Sequence, residues 1–196
     1  NDCPGGSFVL TRASSGCTHP NATNYDETAN VDDGSCEYET VQIGHQVWMQ
    51  ENLKATHYRN GDAIFRPSSE DWGSFTEGQY GVYNNETLNS EIYGNLYNFA
   101  AVDDDRGICP LDFHVPSDAE WTLLISYLDE DTVVDTIGLQ SNIAGSKIKE
   151  QGTVHWNSPN SDATNESGFT ALPSGIRFGT TGSDWGLGWG AYFRSS

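Results

Sequence analysis

Almost nowhere in this chain does an apolar run pass a few residues before Gly, Asn, Ser, Asp or Pro interrupts it, and aromatic rings are scattered between the interruptions. Between Tyr58 and Asn89, Phe65, Trp72, Phe75, Tyr80 and Tyr83 all sit among turn formers. That pattern argues against long helices and wide sheets, and it predicts long loops pinned to a core by rings. A chain of 196 residues can bury a proper core. Its apolar share is low at 36%, but 12% aromatics with six tryptophans carry much of the burial.

Regular elements are expected where local signals are strong. Residues 40–49 read as a hairpin about Gly44. Ser117 and Glu120 have capping-box spacing behind Pro116, and Trp121, Leu124, Ile125 and Leu128 follow at i, i+3, i+4 and i+7, one stripe facing a core. A further helix is expected over residues 92–101, burying Leu96, Phe99 and Ala100. From Phe169 onward, short apolar pieces alternate with Gly and predict strands and tight turns.

Residues 1–38 differ from the rest. The stretch between Cys17 and Cys36 is almost all turn formers and acids without apolar periodicity, so it reads as a stapled loop module ahead of a main domain over 39–196. Closing Cys17 to Cys36 would stabilise by roughly 3 kcal/mol through chain entropy. Cys3 and Cys109 then form the second pair, or one of them pairs with another chain. Four cysteines without a C-x-x-C pair suit an oxidising compartment and indicate neither zinc nor thioredoxin-like chemistry.

The net charge of −19 repels phosphate backbones and anionic membranes, so nucleic acid is excluded as a partner class. Dense carboxylates read first as a solubility device, and second as an attraction for divalent cations or a cationic partner. No apolar run approaches the roughly 20 residues that span a bilayer, so no membrane insertion is expected. Asn1-Asp2-Cys3-Pro4 lacks a basic apolar leader, and any signal peptide is expected to have been removed.

The ordered motifs Val41-Gln42-Ile43-Gly44-His45-Gln46-Val47-Trp48-Met49-Gln50-Glu51-Asn52-Leu53-Lys54, Tyr93-Gly94-Asn95-Leu96-Tyr97-Asn98, Cys109-Pro110, His114-Val115-Pro116-Ser117-Asp118-Ala119-Glu120-Trp121 and Asn165-Glu166-Ser167-Gly168-Phe169-Thr170-Ala171-Leu172-Pro173 resemble the Fibrobacter succinogenes major paralogous domain family. The resemblance implies a secreted bacterial cell-surface protein. It also implies an α+β, C-type-lectin-like fold related to the formylglycine-generating enzymes, without their late cysteine pair. Residues 16–38 resemble a separate Cys-bounded, Asp-rich surface-protein repeat. The chain departs from the family at Phe113, where members show Trp, and at Phe193-Arg194-Ser195-Ser196, where they show aromatic-Trp-Ser-Ser. Family domains continue through further strands, so the sheet here is expected to be incomplete. Two explanations stand: a fragment, or completion by a neighbouring copy, with the segment from Cys3 to Leu10 as candidate donor.

Among residues that could carry chemistry, Asn24, Asp26, Asp32 and Asp33 are hard oxygen ligands in one loop and form the calcium candidate, against the reading that they cap local amides. Trp72, Trp156, Trp185 and Trp189 lie near Gly and Asn, and an exposed ring can stack on a sugar, so Trp156, Trp185 and Trp189 are the carbohydrate candidates. Sequons fall at Asn21, Asn85 and Asn165, and Thr132 and Thr136 resemble short acidic-Thr-apolar O-glycosylation sites. His19, His45, His57, His114 and His155 form no zinc-hydrolase motif, and no Gly-x-Ser-x-Gly elbow occurs. The expectation is a non-enzyme: a structural subunit of an assembly of its own copies, or an adhesion module, with glycan binding as the alternative. A deep pocket holding a His bonded to a carboxylate would argue for an enzyme instead.

Overall fold

The computed structural model describes residues 13–68, 71–73, 76–133 and 140–196. Cys3, the segment from Cys3 to Leu10, Phe75 and Thr136 therefore lie outside the described residues. In the N-terminal part, β1 (Ser15–Gly16) and β2 (Val31–Asp32) pair in parallel over two residues, and the Cys17–Cys36 disulfide closes the loop that contains β2. Asn21 docks this module onto the main domain. Its Nδ2 donates to the Asn52 carbonyl at 2.9 Å, and its Oδ1 accepts from the Lys54 amide at 2.6 Å.

The expected hairpin forms from β3 (Thr40–Ile43) and β4 (Gln46–Met49), antiparallel with Val41 opposite Trp48. The helix expected over residues 92–101 does not form. Instead α1 (Thr87–Tyr93) stops at Gly94, β6 (Leu96–Tyr97) pairs antiparallel with β5 (Tyr80–Gly81), and α2 (Phe99–Val102) starts from an Asn98 cap. Gly94 is the cause: it sits at φ +76°, and a Cβ there would fall 2.6 Å from Asn52 Cβ, so the chain turns closely against residue 52. Burial changes accordingly, with Ala101 fully buried and Phe99 left 53% exposed.

Helix α3 (Asp118–Leu128) starts as expected. Ser117 Oγ accepts from the Glu120 amide and Glu120 reaches back to the Ser117 amide at 2.8 Å, a complete capping box. Leu124 and Leu128 are buried against Ile43, Trp48 and Phe169, with Trp121 and Ile125 partly buried beside them, and α4 (Ala144–Ile148) adds Ala144. A second cluster gathers Ala55, Tyr58, Ile64, Ala101 and Ile108. Strands β7 (Ser174–Arg177) and β8 (Asp184–Leu187) pair antiparallel. Each sheet among the described residues holds two strands, and none is joined to another.

The terminal apolar stretch folds back in part. Phe193 packs on Trp121 with ring centroids 5.1 Å apart, the Trp121 indole donates to the Arg194 carbonyl, and the Ser196 amide donates to the Pro116 carbonyl.

Gly94→Ala should destabilise the fold by at least about 1 kcal/mol, because the positive φ and the close approach both oppose a side chain. Gly145→Ala, inside α4 with nothing within 4 Å of its new methyl, should stabilise by about 0.5–1 kcal/mol. Urea midpoints of the two variants should move in opposite directions.

Candidate groove of the main domain

A groove of about 760 Å³ lies between β4, β6, β7 and the loop from Ile108 to Pro116. Val47, Trp48 and Phe169 contribute to one part of its lining; Leu96, Tyr97 and Ile108 contribute to another. The Tyr97 hydroxyl donates to the Ala55 carbonyl at 2.8 Å, and burial holds its pKa well above the usual tyrosine value. Cys109 lines the same groove as a free thiol. Burial pushes it up to about 11, only partly opposed by the positive charge of Arg59.

Arg177 locks the β7 side of the groove. Its Nε and Nη2 donate to the two Asp184 oxygens at 2.7 Å each, and Nη2 also donates to the Val82 carbonyl at 2.8 Å. The Asp184 carboxylate accepts in addition from the Asn84 amide at 2.7 Å. Gly81 makes room, since a Cβ there would overlap the guanidinium. Trp72, which also lines the groove, lies under Arg177 at 5.3 Å. Among the described residues, two buried donors of the groove lining have no acceptor: Arg177 Nη1 and Trp48 Nε1. Sequence reasoning missed this arrangement. Its signal was a rare base, Arg177, seven residues before Asp184 with Gly179 and Gly182 between them.

The groove rim does hold a histidine bonded to a carboxylate, His114 Nε2 to Glu120 Oε1 at 2.8 Å. His114 is 70% exposed, however, and Glu120 is the capping carboxylate of α3. Hydrogen bonds from the Ser117 amide and hydroxyl, then from His114, hold its carboxyl down at about 2, far from the range of a general base working near neutrality. The pair orders the start of a helix. The Cys109 thiol, raised rather than lowered, is likewise the opposite of an activated nucleophile.

The four calcium candidates accept hydrogen bonds from amides of their own loop. Asn24 Oδ1 accepts from the Glu37 amide, Asp26 Oδ1 from Thr28, Asp32 Oδ1 from the Gly34 amide and Asp33 Oδ1 from the Ser35 amide. Among the described residues no three His, Cys, Asp or Glu side chains converge as a metal cage. The Asn21 sequon is corrected, because its amide is buried and both of its polar atoms dock the module. Asn85 is exposed and Asn165 half-buried, the latter bonded to Thr170 through both amide atoms. The Thr132 hydroxyl donates to the Asp129 carbonyl at 2.6 Å.

The tryptophans divide. Trp156 is corrected as a sugar platform: it is 7% exposed, its indole donates to the Ala171 carbonyl at 3.0 Å, and Lys149 sits over its ring at 4.4 Å. Trp72 is buried too. Trp185 and Trp189 are 55% and 62% exposed and keep their faces available. Near neighbours in sequence, Gly and Asn in both groups, do not separate the two kinds.

These observations define a disulfide-stapled acidic module carried on a mixed helix-and-strand domain with a large groove. The chain belongs to the Fibrobacter succinogenes major domain family, whose model matches residues 41–193. No curated protein and no solved structure matches it. No described helix is long and apolar enough to cross a membrane.

The docked module also generates a pH effect. Both His19 ring nitrogens are buried without partners, Tyr38 edges onto the ring, and burial lowers the His19 pKa below its ordinary 6.5 against an opposing pull from Asp32. The unfolded chain then binds this proton more readily than the folded one. Stability is full above pH 6.5 and should fall as pH drops from there toward the folded-state value. A His19→Phe variant should lose that part of the pH dependence when urea midpoints are compared between pH 7.5 and 5.

Proposed function

We propose that this chain is a non-catalytic, secreted structural subunit of an extracellular assembly at the bacterial cell surface, whose groove receives an extended segment of a neighbouring copy. The groove itself carries the reading: it is walled largely by aromatic and aliphatic side chains, and it runs past strands that belong to sheets of only two. An added strand supplies backbone hydrogen bonds to such edges and places alternate side chains in apolar pockets. The Cys17–Cys36 disulfide favours an oxidising location. The loop-rich mix of short strands around one capped helix suits the C-type-lectin-like class that the family motifs imply. The low carboxyl pKa of Glu120 and the high thiol pKa of Cys109 support the non-catalytic part.

Exposed Trp185 and Trp189, on β8 and the turn after it, favour a second reading as a glycan-binding adhesion module. Flat rings left in solvent beside glycine are the usual means of stacking on a sugar face.

Sedimentation velocity separates the readings. Wild-type protein should form concentration-dependent multimers, and Val47→Arg, at an exposed groove position, should shift it to monomer with unchanged circular dichroism. Monomer at every concentration for the wild type would reject the assembly. On a glycan array, Trp185→Ala should abolish any saturable binding and leave sedimentation unchanged.

A further inference from the structure

We infer that the segment seated in the groove is residues 3–10 of a second copy, locked there by an intermolecular disulfide between Cys3 of one copy and Cys109 of the next. This rests on the assembly reading and names its occupant and its covalent bond.

Cysteine arithmetic supplies the first support. Of four cysteines, Cys17 and Cys36 are bonded to each other, Cys109 is a free thiol on the groove lining, and Cys3 is the one remaining. The site around Cys109 supplies the second. It is apolar, with Tyr97, Ile108 and Val115 packed in the same cluster. The same groove carries the unpaired Trp48 Nε1 and Arg177 Nη1, on side chains nine-tenths or more buried. Carbonyl oxygens of an incoming backbone are the acceptors that such donors lack, and a buried donor left unpaired is costly.

The segment matches the site in charge and composition. Cys3-Pro4-Gly5-Gly6-Ser7-Phe8-Val9-Leu10 carries no ionisable group besides its thiol, in a chain of net charge −19. Glu51, Asp112 and Glu120 stand on the groove lining and would repel most other stretches of a second copy. Eight extended residues reach about 26 Å, the length of an ordinary strand. Phe8, Val9 and Leu10 give it apolar side chains at the end opposite the thiol.

The assembly reading places the segment in the groove of a second copy, and the described start of the chain agrees with it. The chain leaves the module beside Ser14, whose amide donates to Asn30 Oδ1, along a strand pair where Val31 and Asp32 are exposed. The module meets its own domain through other residues, Asn21 and Tyr38, the latter edge-on to Phe113. Ala13 and Ser15 are exposed, so this edge of the module is open to a neighbouring copy. Contacts of this kind are head-to-tail, and they link copies into an open filament or a closed ring.

The bond balances as an exchange reaction. Each of the two thiols gives up a proton and together they give up two electrons, and a small-molecule disulfide takes these and leaves as two thiols.

The test uses the full chain in oxidised glutathione, followed by non-reducing electrophoresis and peptide mapping. The expected result is a ladder of linked copies containing the Cys3–Cys109 peptide, collapsing to monomer with dithiothreitol and absent in Cys3→Ser and Cys109→Ser. Mixing those two variants should give a linked dimer and nothing larger, since one keeps only the groove thiol and the other only the segment thiol. If Cys109→Ser misfolds, Cys3→Ser alone gives the same reading, because it leaves the groove untouched. A Cys3–Cys109 bridge within monomers, a Cys3–Cys3 dimer, or two thiols that stay free would each overturn the inference. Sedimenting multimers that persist in Cys3→Ser with no linked peptide in the wild type would overturn it while leaving the assembly reading standing.

Discussion

The meeting of Trp48, Trp121 and Phe169 holds the main domain together. Trp48 comes from a hairpin, Trp121 from a capped helix and Phe169 from a loop near the C-terminal strands, and their ring centroids lie 4.8 to 6.3 Å apart. Phe193 adds a fourth ring on Trp121 and Phe169. A chain with few aliphatic runs cannot build this junction from sheet faces. Each large ring buries as much surface as two or three small side chains, so single residues can anchor whole loops.

A fold made of loops must also satisfy its backbone without ladders, and here buried amide side chains do that. Asn98 Oδ1 accepts from the amides of Gln79 and Ala101 while its Nδ2 donates to the Glu77 carbonyl. Asn160 Nδ2 donates to the carbonyls of Glu150 and Gly152. Asn165 does the same work at Thr170, and Asn21 joins module to domain. Buried backbone groups need partners, and short polar side chains supply them where no strand runs alongside. The Arg177–Asp184 pair extends this logic with charge, tying the last hairpin to the Val82 carbonyl.

What the sequence made legible was local. The Gly44 hairpin and the Ser117–Glu120 box each depend on residues a few places apart, whose geometry any chain context would share, and the disulfide loop on two cysteines 19 positions apart within one stretch of turn formers. The misread helix at residues 92–101 shows the limit: its apolar residues have helical spacing, but Gly94 is claimed by a close approach to Asn52, 42 positions earlier. Trp156 and Trp185 have similar neighbours in sequence and opposite exposure, because Trp156 is covered by Lys149 and bonded to Ala171. The Asn21 sequon was lost to the same kind of distant partner. The groove was not legible at all, since its walls are drawn from His45 to Arg194 and no periodicity links them.

In the proposed assembly, the acidic exterior and the apolar groove act together on association. Copies with a net charge of −19 repel one another, so casual apolar contact between their exposed surfaces is suppressed. Attraction must then come from a site where charge is absent or excluded and where unpaired donors await acceptors. The groove meets the second condition through Trp48 and Arg177, and acids along its lining penalise charged occupants of the same sign. Repulsion elsewhere thus sharpens the choice of what may enter, a difference of affinities produced as much by the wrong partners' costs as by the right partner's contacts.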